Sequence, residues 1–438
     1  MSTNHLKLFL IIIWVLVVSI LGVGLVLWVV TRKPAPPAPT PTLSPTPLAT
    51  PSATDIPTIV IIRATPRGTL IPLPATSTPI TPQAAYNADS APPGVNPLTG
   101  LGVADPSRLE RRPIAVKISS FPREAVRAVQ SGLTKADLVF EYYIEDGLTR
   151  FVAVYYGQDA ERVGPVRSGR YFDENVMRMY HSALVFADAD RRVEEYFMSS
   201  VDLRPLLFLP RNDNCPPLCR DDNIDGYNNI FVNTAGVGAF LSDNGKQPVR
   251  PMFFNSLFHS GLATPITRIF TRYSAYSYNY WEYDPTQQKY LRFSDANNAH
   301  DGAAEVYAPH IDHLTGQQVF ADNVVALVAP HLFVNDFDRA DQLYNIPLIG
   351  DGLAYVFIDG KMYKGYWVRD HLDRPYQLFD MNNNPLSLKP GITYHQIIDP
   401  KSTVTQNGLS MSFGFYIQPR ILTPTPTPPK RTATPRKK

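Results

Sequence analysis

Cysteine is scarce in this chain, which has only Cys215 and Cys219 in 438 residues. Three residues separate the two, whereas the usual redox motif has two, so disulfide-exchange catalysis is disfavoured. A structural zinc site normally takes four nitrogen or sulfur donors, and no histidine lies close to this pair. In an oxidising compartment an isolated pair of this kind forms a local disulfide. We therefore predict a Cys215–Cys219 disulfide, and no metal or cofactor.

Motifs for nucleotide binding and for the common hydrolytic enzymes are also missing. The chain has no nucleophile elbow and no metalloprotease helix. One GVG triplet, 22–24, lies inside an apolar run, and the other, 236–238, lacks the third glycine of a dinucleotide loop. No repeat of 20 to 50 residues is visible, so a solenoid or a propeller is not indicated.

The chain has little excess charge, and that excess is unevenly placed. The formal net charge is +2, while residues 1–94 and the tail at 421–438 are both net positive, which leaves about −6 for the region between them. Nucleic-acid binding by that region is therefore not expected. The basic tail is typical of a disordered end, which is either simply solvated or in contact with anionic wall polymers or lipid headgroups.

One long apolar run is present, at residues 8–30. At about 1.5 Å per residue a helix of this length crosses a hydrocarbon core of about 30 Å. A cleaved signal peptide has a shorter apolar region followed by small residues, whereas Arg32 and Lys33 follow here. We predict a single-pass transmembrane helix, with residues 1–7 in the cytoplasm. Basic residues on its two sides nearly balance, so charge alone does not fix the orientation.

Residues 31–94 are rich in proline, threonine, alanine and serine. They have no periodic apolar face to offset the entropy of ordering the chain, so we predict a disordered, partly polyproline linker. A surface stalk able to carry sugars and a plain spacer both fit this composition. Either one favours an extracytoplasmic location for the region that follows.

Residues 95–420 have the alternating patterns and turn signals of a folded region, long enough for two domains of about 100–200 residues each. We predict an α+β protein with a mixed α/β domain at 95–245, which continues through 246–320, and a smaller β-rich domain at 321–420. The predicted elements are, in order, strand 113–118, helix 123–130, a hairpin of strands 138–144 and 149–156, helix 171–180, strand 183–187, a tyrosine-rich hairpin within 276–293, strand 323–328, and strands 353–358, 362–369, 376–379 and 391–398.

Charged residues collect around the first hairpin. Glu141 and Glu145 lie on its first arm, Arg150 opens its second arm, and Arg167 and Arg170 follow the turn at 164–165. Arginine forms forked pairs with carboxylates, so these residues could pin a loop by salt bridges. They could equally form an anion-binding or catalytic cleft, in which a glutamate acts as acid or base. The sequence leaves both interpretations open.

Three further places are weaker candidates. Asp188 and Asp190 follow a predicted strand end together with Arg191 and Arg192, and ligands of α/β sheets usually bind at such ends, although Arg191, Arg192, Glu194 and Glu195 could as easily form the solvated first turn of a helix. The alternating tyrosines at 276, 278 and 280 could stack on sugars or peptides, or form a covered sheet face. His310 and His313 could bind a metal together with Asp312, but the flanking Pro309 and Gly316 favour a loop.

Short motifs follow one another in order along residues 96–400. They are Asn96–Leu101, Arg112–Val116, Ser131–Leu133 with Ala136 and Asp137, Glu141, Thr149–Phe151, Gly164–Ser168 with Arg170, Tyr283–Asp284, Tyr290 with Arg292, His300–Asp301, Asn323–Val325, Gly350–Gly352, Asp359–Lys361, Trp367 with Arg369, Asn384–Pro385 and Pro390–Gly391. This set resembles the YerB-like lipoprotein family of bacterial envelope proteins, and the GPVRSxR segment is its most specific part.

The resemblance implies an envelope-anchored protein with a larger N-terminal and a smaller C-terminal domain and no agreed activity. Two departures from the family matter. No cysteine precedes Cys215 to carry a lipid, so a transmembrane helix must provide the anchor. Family members also tend to carry a histidine and glycines where this chain has 188–190, and Pro-His-Asn near 227–229. The absence of the two histidines weakens any hypothesis in which they act as base or metal ligand, and it suggests either a binding role or a degenerate site.

Two functional hypotheses follow. The first is a membrane-tethered, extracytoplasmic binding or accessory protein, with a wall polymer or an envelope protein as partner and a cleft lined by Glu141, Arg150, Arg167 and Arg170. The alternative is an envelope hydrolase that pairs Glu141 with Asp188 or Asp190. Such chemistry requires two carboxyl groups about 5–10 Å apart that face an open groove.

Overall fold

The computed structural model describes residues 88–419, apart from 122, 211–213, 225, 242–247, 258, 300–302 and 336–340. The predicted membrane helix 8–30, most of the predicted linker and the basic tail lie outside the described residues, as do His300 and Asp301. Within the described ranges, no helix combines the length and apolar character that crossing a bilayer requires.

Strands predominate in the described region, and its α-helices are short. The α-helices are α1 (Arg123–Arg127), α2 (Asp173–Tyr180), α3 (Arg191–Ser199) and α4 (Thr234–Phe240). The strands are β1 (Ile114–Ser119), β2 (Leu138–Tyr143), β3 (Thr149–Tyr155), β4 (Ala183–Val185), β5 (Leu207–Phe208), β6 (Leu218–Arg220), β7 (Ile230–Val232), β8 (Ala263–Pro265), β9 (Arg268–Arg272), β10 (Tyr278–Asp284), β11 (Lys289–Asp295), β12 (Tyr307–Pro309), β13 (Phe320–Ala321), β14 (Asn323–Val328), β15 (Leu332–Phe333), β16 (Tyr344–Asn345), β17 (Gly350–Ile358), β18 (Lys361–Arg369), β19 (Gln377–Asp380), β20 (Thr393–Ile398), β21 (Thr403–Asn407) and β22 (Ser410–Gly414).

The larger sheet has eleven strands in the order β19-β18-β17-β14-β20-β2-β3-β1-β4-β5, with β8 also paired to β18. Its centre is mixed, because β20 runs parallel to both β14 and β2 while β2 and β3 are antiparallel. Every residue of β1, β2 and β3 is buried. Strands covered on both faces read as nearly continuous apolar runs, and these three strands do so.

The smaller sheet has the strand order β12-β11-β10-β9-β22-β21, with β13 paired to β11. It covers one face of the larger sheet, as shown by the contact of Trp281 on β10 with Tyr394 on β20, whose ring centroids are 4.7 Å apart. The segment leading into α2 covers the opposite face, where the ring of Phe172 lies 4.2 Å from that of Tyr142. The centre of the larger sheet is therefore enclosed on both sides.

The predicted hairpins are confirmed. Asp146 and Gly147 between β2 and β3 both have positive φ, as do Asp359 and Gly360 between β17 and β18, which is the backbone that tight hairpin turns require. The tyrosine-rich hairpin forms β10 and β11. The first predicted helix is shorter than expected and ends at Arg127.

Strands from both predicted domains contribute to the larger sheet. Within it, β20 from the predicted β-rich domain at 321–420 lies directly beside β2 of the first domain, with Leu138 opposite Thr393. The last strand, β22, likewise pairs with β9 of the smaller sheet. Local patterns give the positions of strands, but pairing across more than 250 residues depends on tertiary packing, which those patterns do not specify.

Candidate functional site

The alternation of side chains along the first hairpin separates its charged residues. Tyr142 lies opposite Arg150 in the β2–β3 pair, and Glu141 lies opposite Phe151. Because successive side chains of a strand point to opposite faces, Arg150 and Glu141 are on different faces of the larger sheet. The two residues therefore do not share a cleft, which corrects the cluster expected from the sequence.

Arg150, Arg167 and Arg170, here called the arginine cluster, meet on the face covered by α2. The loop that carries Arg167 and Arg170 is held against β1, where the Arg167 amide donates to the carbonyl of Lys117 at 2.9 Å. Arg150 donates to the carbonyl of Ser168 at 2.8 Å. The structure thus brings together the three arginines that the sequence singled out.

Two arginines of the cluster have neighbours that fix their position. Arg170 forms an ion pair with Glu145 and donates to the carbonyl of Gly169 at 2.9 Å. Arg167 donates to the carbonyl of Tyr227 at 3.3 Å, and its guanidinium lies 4.5 Å from the centre of the Tyr227 ring. Glu145 was a predicted site residue, and it serves here as the carboxylate partner of Arg170.

A fourth basic residue, Lys117, lies beneath the cluster. Lys117 of β1 is completely buried and donates to Asp173 at 3.0 Å and to the Tyr142 hydroxyl. The Tyr142 hydroxyl also donates to Asp173, at 2.5 Å, and the other oxygen of Asp173 accepts the Arg170 amide at 2.8 Å. Asp173 therefore links Lys117 to the loop of the cluster. A lysine inside an otherwise apolar strand was the available sequence signal.

Two arginines of the cluster have no directly bonded carboxylate in the part of the chain that the structure describes, although the charge of Asp188 acts on Arg167. Among the described residues, neither Arg150 nor Arg167 forms an ion pair, and the Nε atoms of Arg167 and Arg170 are buried without a hydrogen-bond acceptor. Burial, followed by the charges of Arg170 and Arg167, lowers the pKa of Arg150 to about 9. Burial likewise lowers the pKa of Arg167. Free donors in a buried cationic site can bind an anion.

Glu141 lies on the opposite face, between the two sheets. Its carboxylate forms an ion pair with Arg292 of β11 at 2.7 Å, and both side chains are buried. It also accepts from the hydroxyl of Thr149 at 3.1 Å and from the amide of Asn279 at 3.4 Å. Arg292 belonged to a family motif but was not proposed as a site residue. These contacts make Glu141 a structural residue that joins the sheets.

The geometry does not support a paired-carboxylate hydrolase. Glu141 is buried and paired with Arg292, so its carboxylate does not face an open groove. Asp188 is exposed and accepts the Ala189 amide at 2.8 Å. Asp190 caps α3 and pairs with Arg192, and these hydrogen bonds lower its pKa. Asp190 thus caps α3, whose first turn contains Arg191, Arg192 and Glu194, which matches the interpretation as a solvated helix start.

The remaining candidates have structural roles. His310 is buried, its pKa is well below the ordinary value because of burial and the nearby Arg292, and it contacts Gln130. Asp312 accepts the amides of Gly132 and Thr134, both at 2.8 Å. No group of potential metal ligands occurs among the described residues. The predicted Cys215–Cys219 disulfide is present.

The tyrosine-rich hairpin is partly covered. Tyr278 is buried and donates to the carbonyl of Asn297 at 2.8 Å. Tyr280 stacks on Phe293 of the neighbouring strand, with ring centroids 4.5 Å apart and planes 2° from parallel. Because these rings stack on each other across the strands, the arrangement matches the interpretation as a covered sheet face better than the one as a sugar-binding ladder.

The fold and the site define a β-rich protein of two packed sheets, whose larger sheet carries a buried group of cations where β1 ends and β3 begins. The chain belongs to the family described as "Protein of unknown function (DUF3048)". The N-terminal domain of that family matches residues 98–247, and its C-terminal domain matches residues 269–394. The resemblance to YerB-like proteins is thereby confirmed.

Two relatives illustrate the similarity. "Putative lipoprotein YerB" of Bacillus subtilis (strain 168) is 28% identical over 284 residues, which cover 62% of this chain and 77% of that protein. The crystal structure of YerB protein from Bacillus subtilis aligns with a TM-score of 0.56 at 24% identity, and covers 69% of this chain and 96% of the other. The structural likeness supports the fold.

Proposed function

We propose that this protein is an extracytoplasmic binding or accessory protein of the bacterial envelope, and that its arginine cluster binds an anionic group of a ligand. The observation that carries the proposal is a group of three arginines in which the Nε atoms of Arg167 and Arg170 are buried without a hydrogen-bond acceptor, while the buried Arg150 forms no ion pair among the described residues. A carboxylate or a phosphate supplies the acceptors that these donors lack. Such an anion would also relieve the repulsion among the three positive charges.

The envelope location rests on two observations. The relative from Bacillus subtilis is named a putative lipoprotein, a type of protein held at a membrane by lipid. In this chain, residues 8–30 form an apolar run followed by a proline-rich segment. An apolar run of this length is suited to a membrane anchor, and the proline-rich segment is suited to hold the folded region away from the bilayer.

The ligand class follows from the location and the site. Wall polymers and membrane headgroups present phosphate and carboxylate groups outside the cell, and a guanidinium pairs with either through two hydrogen bonds. A neutral sugar or an apolar peptide would leave the guanidiniums without acceptors. We therefore infer an anionic polymer or headgroup as the ligand.

The test compares Arg167→Ala with Arg191→Ala. Arg167 is partly exposed and has no carboxylate partner among the described residues, so its removal is expected to leave the melting temperature within a few degrees. Arg191 is an exposed arginine that pairs with Glu195. Retention of the protein on immobilised, purified anionic wall polymer should be lost in Arg167→Ala and kept in Arg191→Ala. Equal retention by both variants, or collapse of the fold in Arg167→Ala, would contradict the proposal.

A further inference from the structure

The sheet edges of this protein differ in how they are protected. At one end of the larger sheet, the segment after β19 covers the edge, and Leu386 donates to the carbonyl of Leu378 at 2.8 Å. At the other end, β5 has two residues and Pro210 follows shortly. In the smaller sheet, β12 has three residues and ends at Pro309. Short strands, proline and covering segments are common protections against edge-to-edge pairing.

The remaining edge, β21, has none of these features. It is five residues long, every residue is exposed, and its sequence TVTQN contains no charge and no proline. Threonine and valine favour strands, so the edge keeps a regular β conformation. An exposed and uncharged edge of this kind is a template for pairing with another strand.

The hairpin turn determines which main-chain groups of β21 are free. Gly408 and Leu409 form a two-residue turn between Asn407 and Ser410, which are paired. The closing pair of such a hairpin exchanges both main-chain hydrogen bonds, and the bonded positions then alternate along the strand. The amide and carbonyl groups of Val404 and Gln406 therefore point away from β22 and are available to a new strand.

We propose that β21 pairs with β21 of a second copy of this chain, antiparallel and about a two-fold axis at Thr405. In this register Val404 of each copy lies opposite Gln406 of the other, so the free groups of both copies are paired. When two identical strands pair about a two-fold axis, each residue lies opposite the same residue, or one close to it in sequence, in the second copy. The lack of charge in TVTQN allows this without like-charge repulsion, and threonine opposite threonine is a favourable cross-strand pair.

The dimer formed in this way is weak. Stable interfaces involve about 20–30 residues on each side, whereas the edge of β21 contributes five residues and its immediate flanks. We therefore infer an association that depends on protein concentration, of the kind that clustering at a surface would promote.

Disulfide trapping tests the register. At a non-hydrogen-bonded antiparallel pair the Cα atoms are about 4.5 Å apart, which lies within the range of disulfides. The two native cysteines are already paired with each other, so they give no background. Full-length Thr405→Cys, in detergent and under mild oxidation, should form a covalent dimer at least tenfold faster than Thr286→Cys. Thr286 is an exposed threonine in the β10–β11 turn and serves as the matched control.

A second measurement uses the uncrosslinked protein. Sedimentation of the full chain in detergent should show dimer that increases with protein concentration, and Thr405→Lys should abolish it by placing two like charges at the two-fold axis. Thr286→Lys should behave as the unmodified chain. Equal crosslinking of both cysteine variants, or a chain that stays monomeric at every concentration, would overturn the proposal. Concentration-dependent dimer that persists in Thr405→Lys would also overturn it, because the interface would then lie elsewhere.

Discussion

Lys117 shows how a single buried residue affects the electrostatics of the candidate site. Burial lowers the pKa of its amine to about 7, the nearby Asp173 opposes this shift, and Arg150 and Arg170 add to it. In the unfolded chain the amine has its ordinary pKa of 10.5. Between these two values the unfolded chain binds a proton that the folded protein does not, so stability rises with pH through this window.

This difference predicts a pH dependence of stability. The free energy of unfolding should rise between pH 7 and pH 10 by up to about 1.4 kcal/mol per pH unit from this one group. Lys117→Met should remove that part of the slope, whatever its effect on stability at pH 7. Denaturant unfolding at several pH values measures it, with Lys401→Met at an exposed position as control. If the free energy of unfolding had the same pH slope in the unmodified protein and in Lys117→Met, Lys117 would not be the cause of this pH dependence.

At the scale of elements, the ion pair of Glu141 and Arg292 joins β2 of the larger sheet to β11 of the smaller sheet. Both residues are buried, and Arg292 also lies among the rings of Phe151, Trp281 and Tyr394. Removal of one partner leaves the other charge buried without compensation, which is far more destabilising than removal of both.

We expect Arg292→Met to lower the free energy of unfolding by about 3–5 kcal/mol, because it leaves Glu141 unpaired between the sheets. Adding Glu141→Gln should recover much of the loss. Arg268→Met breaks the exposed pair with Glu282 and should cost less than about 1 kcal/mol. Denaturant unfolding of the four proteins gives the comparison. Similar losses for Arg292→Met and Arg268→Met would mean that the buried pair does not join the sheets.

At the scale of the whole molecule, strands from both predicted domains form one sheet. The central strand β20 has β14 on one side and β2 on the other. A chain that ends before β14 would leave the buried strand β2 as an open edge with an uncovered apolar surface, and such edges aggregate.

Residues 95–320 made alone are therefore expected to lack a cooperative thermal transition and to bind a dye for exposed apolar surface. Residues 88–419 should melt in a single transition, since they contain all the described strands of both sheets. Near-ultraviolet circular dichroism and calorimetry distinguish the two outcomes. A cooperative transition of 95–320 alone would show that the first predicted domain is independent of the shared sheet.

Much of the local structure could be predicted from the sequence, because its causes are local. The turns at Asp146–Gly147 and Asp359–Gly360 fix their hairpins through positive backbone angles, and alternation marks the strands on either side. The same alternation, counted from the first turn, already implies that Glu141 and Arg150 point to opposite faces. The disulfide could be predicted for the same reason, since its two cysteines are four positions apart.

By itself, the sequence determined the strands, the tight turns, the disulfide and the three arginines that a single loop and strand bring close. Only the tertiary structure decided that β20 lies beside β2, that Glu141 pairs with Arg292 and that Lys117 lies beneath the arginines. The reason is physical: backbone angles and side-chain alternation act between neighbours along the chain. The partner of a strand or of a buried charge is instead selected by packing among residues that are far apart in sequence.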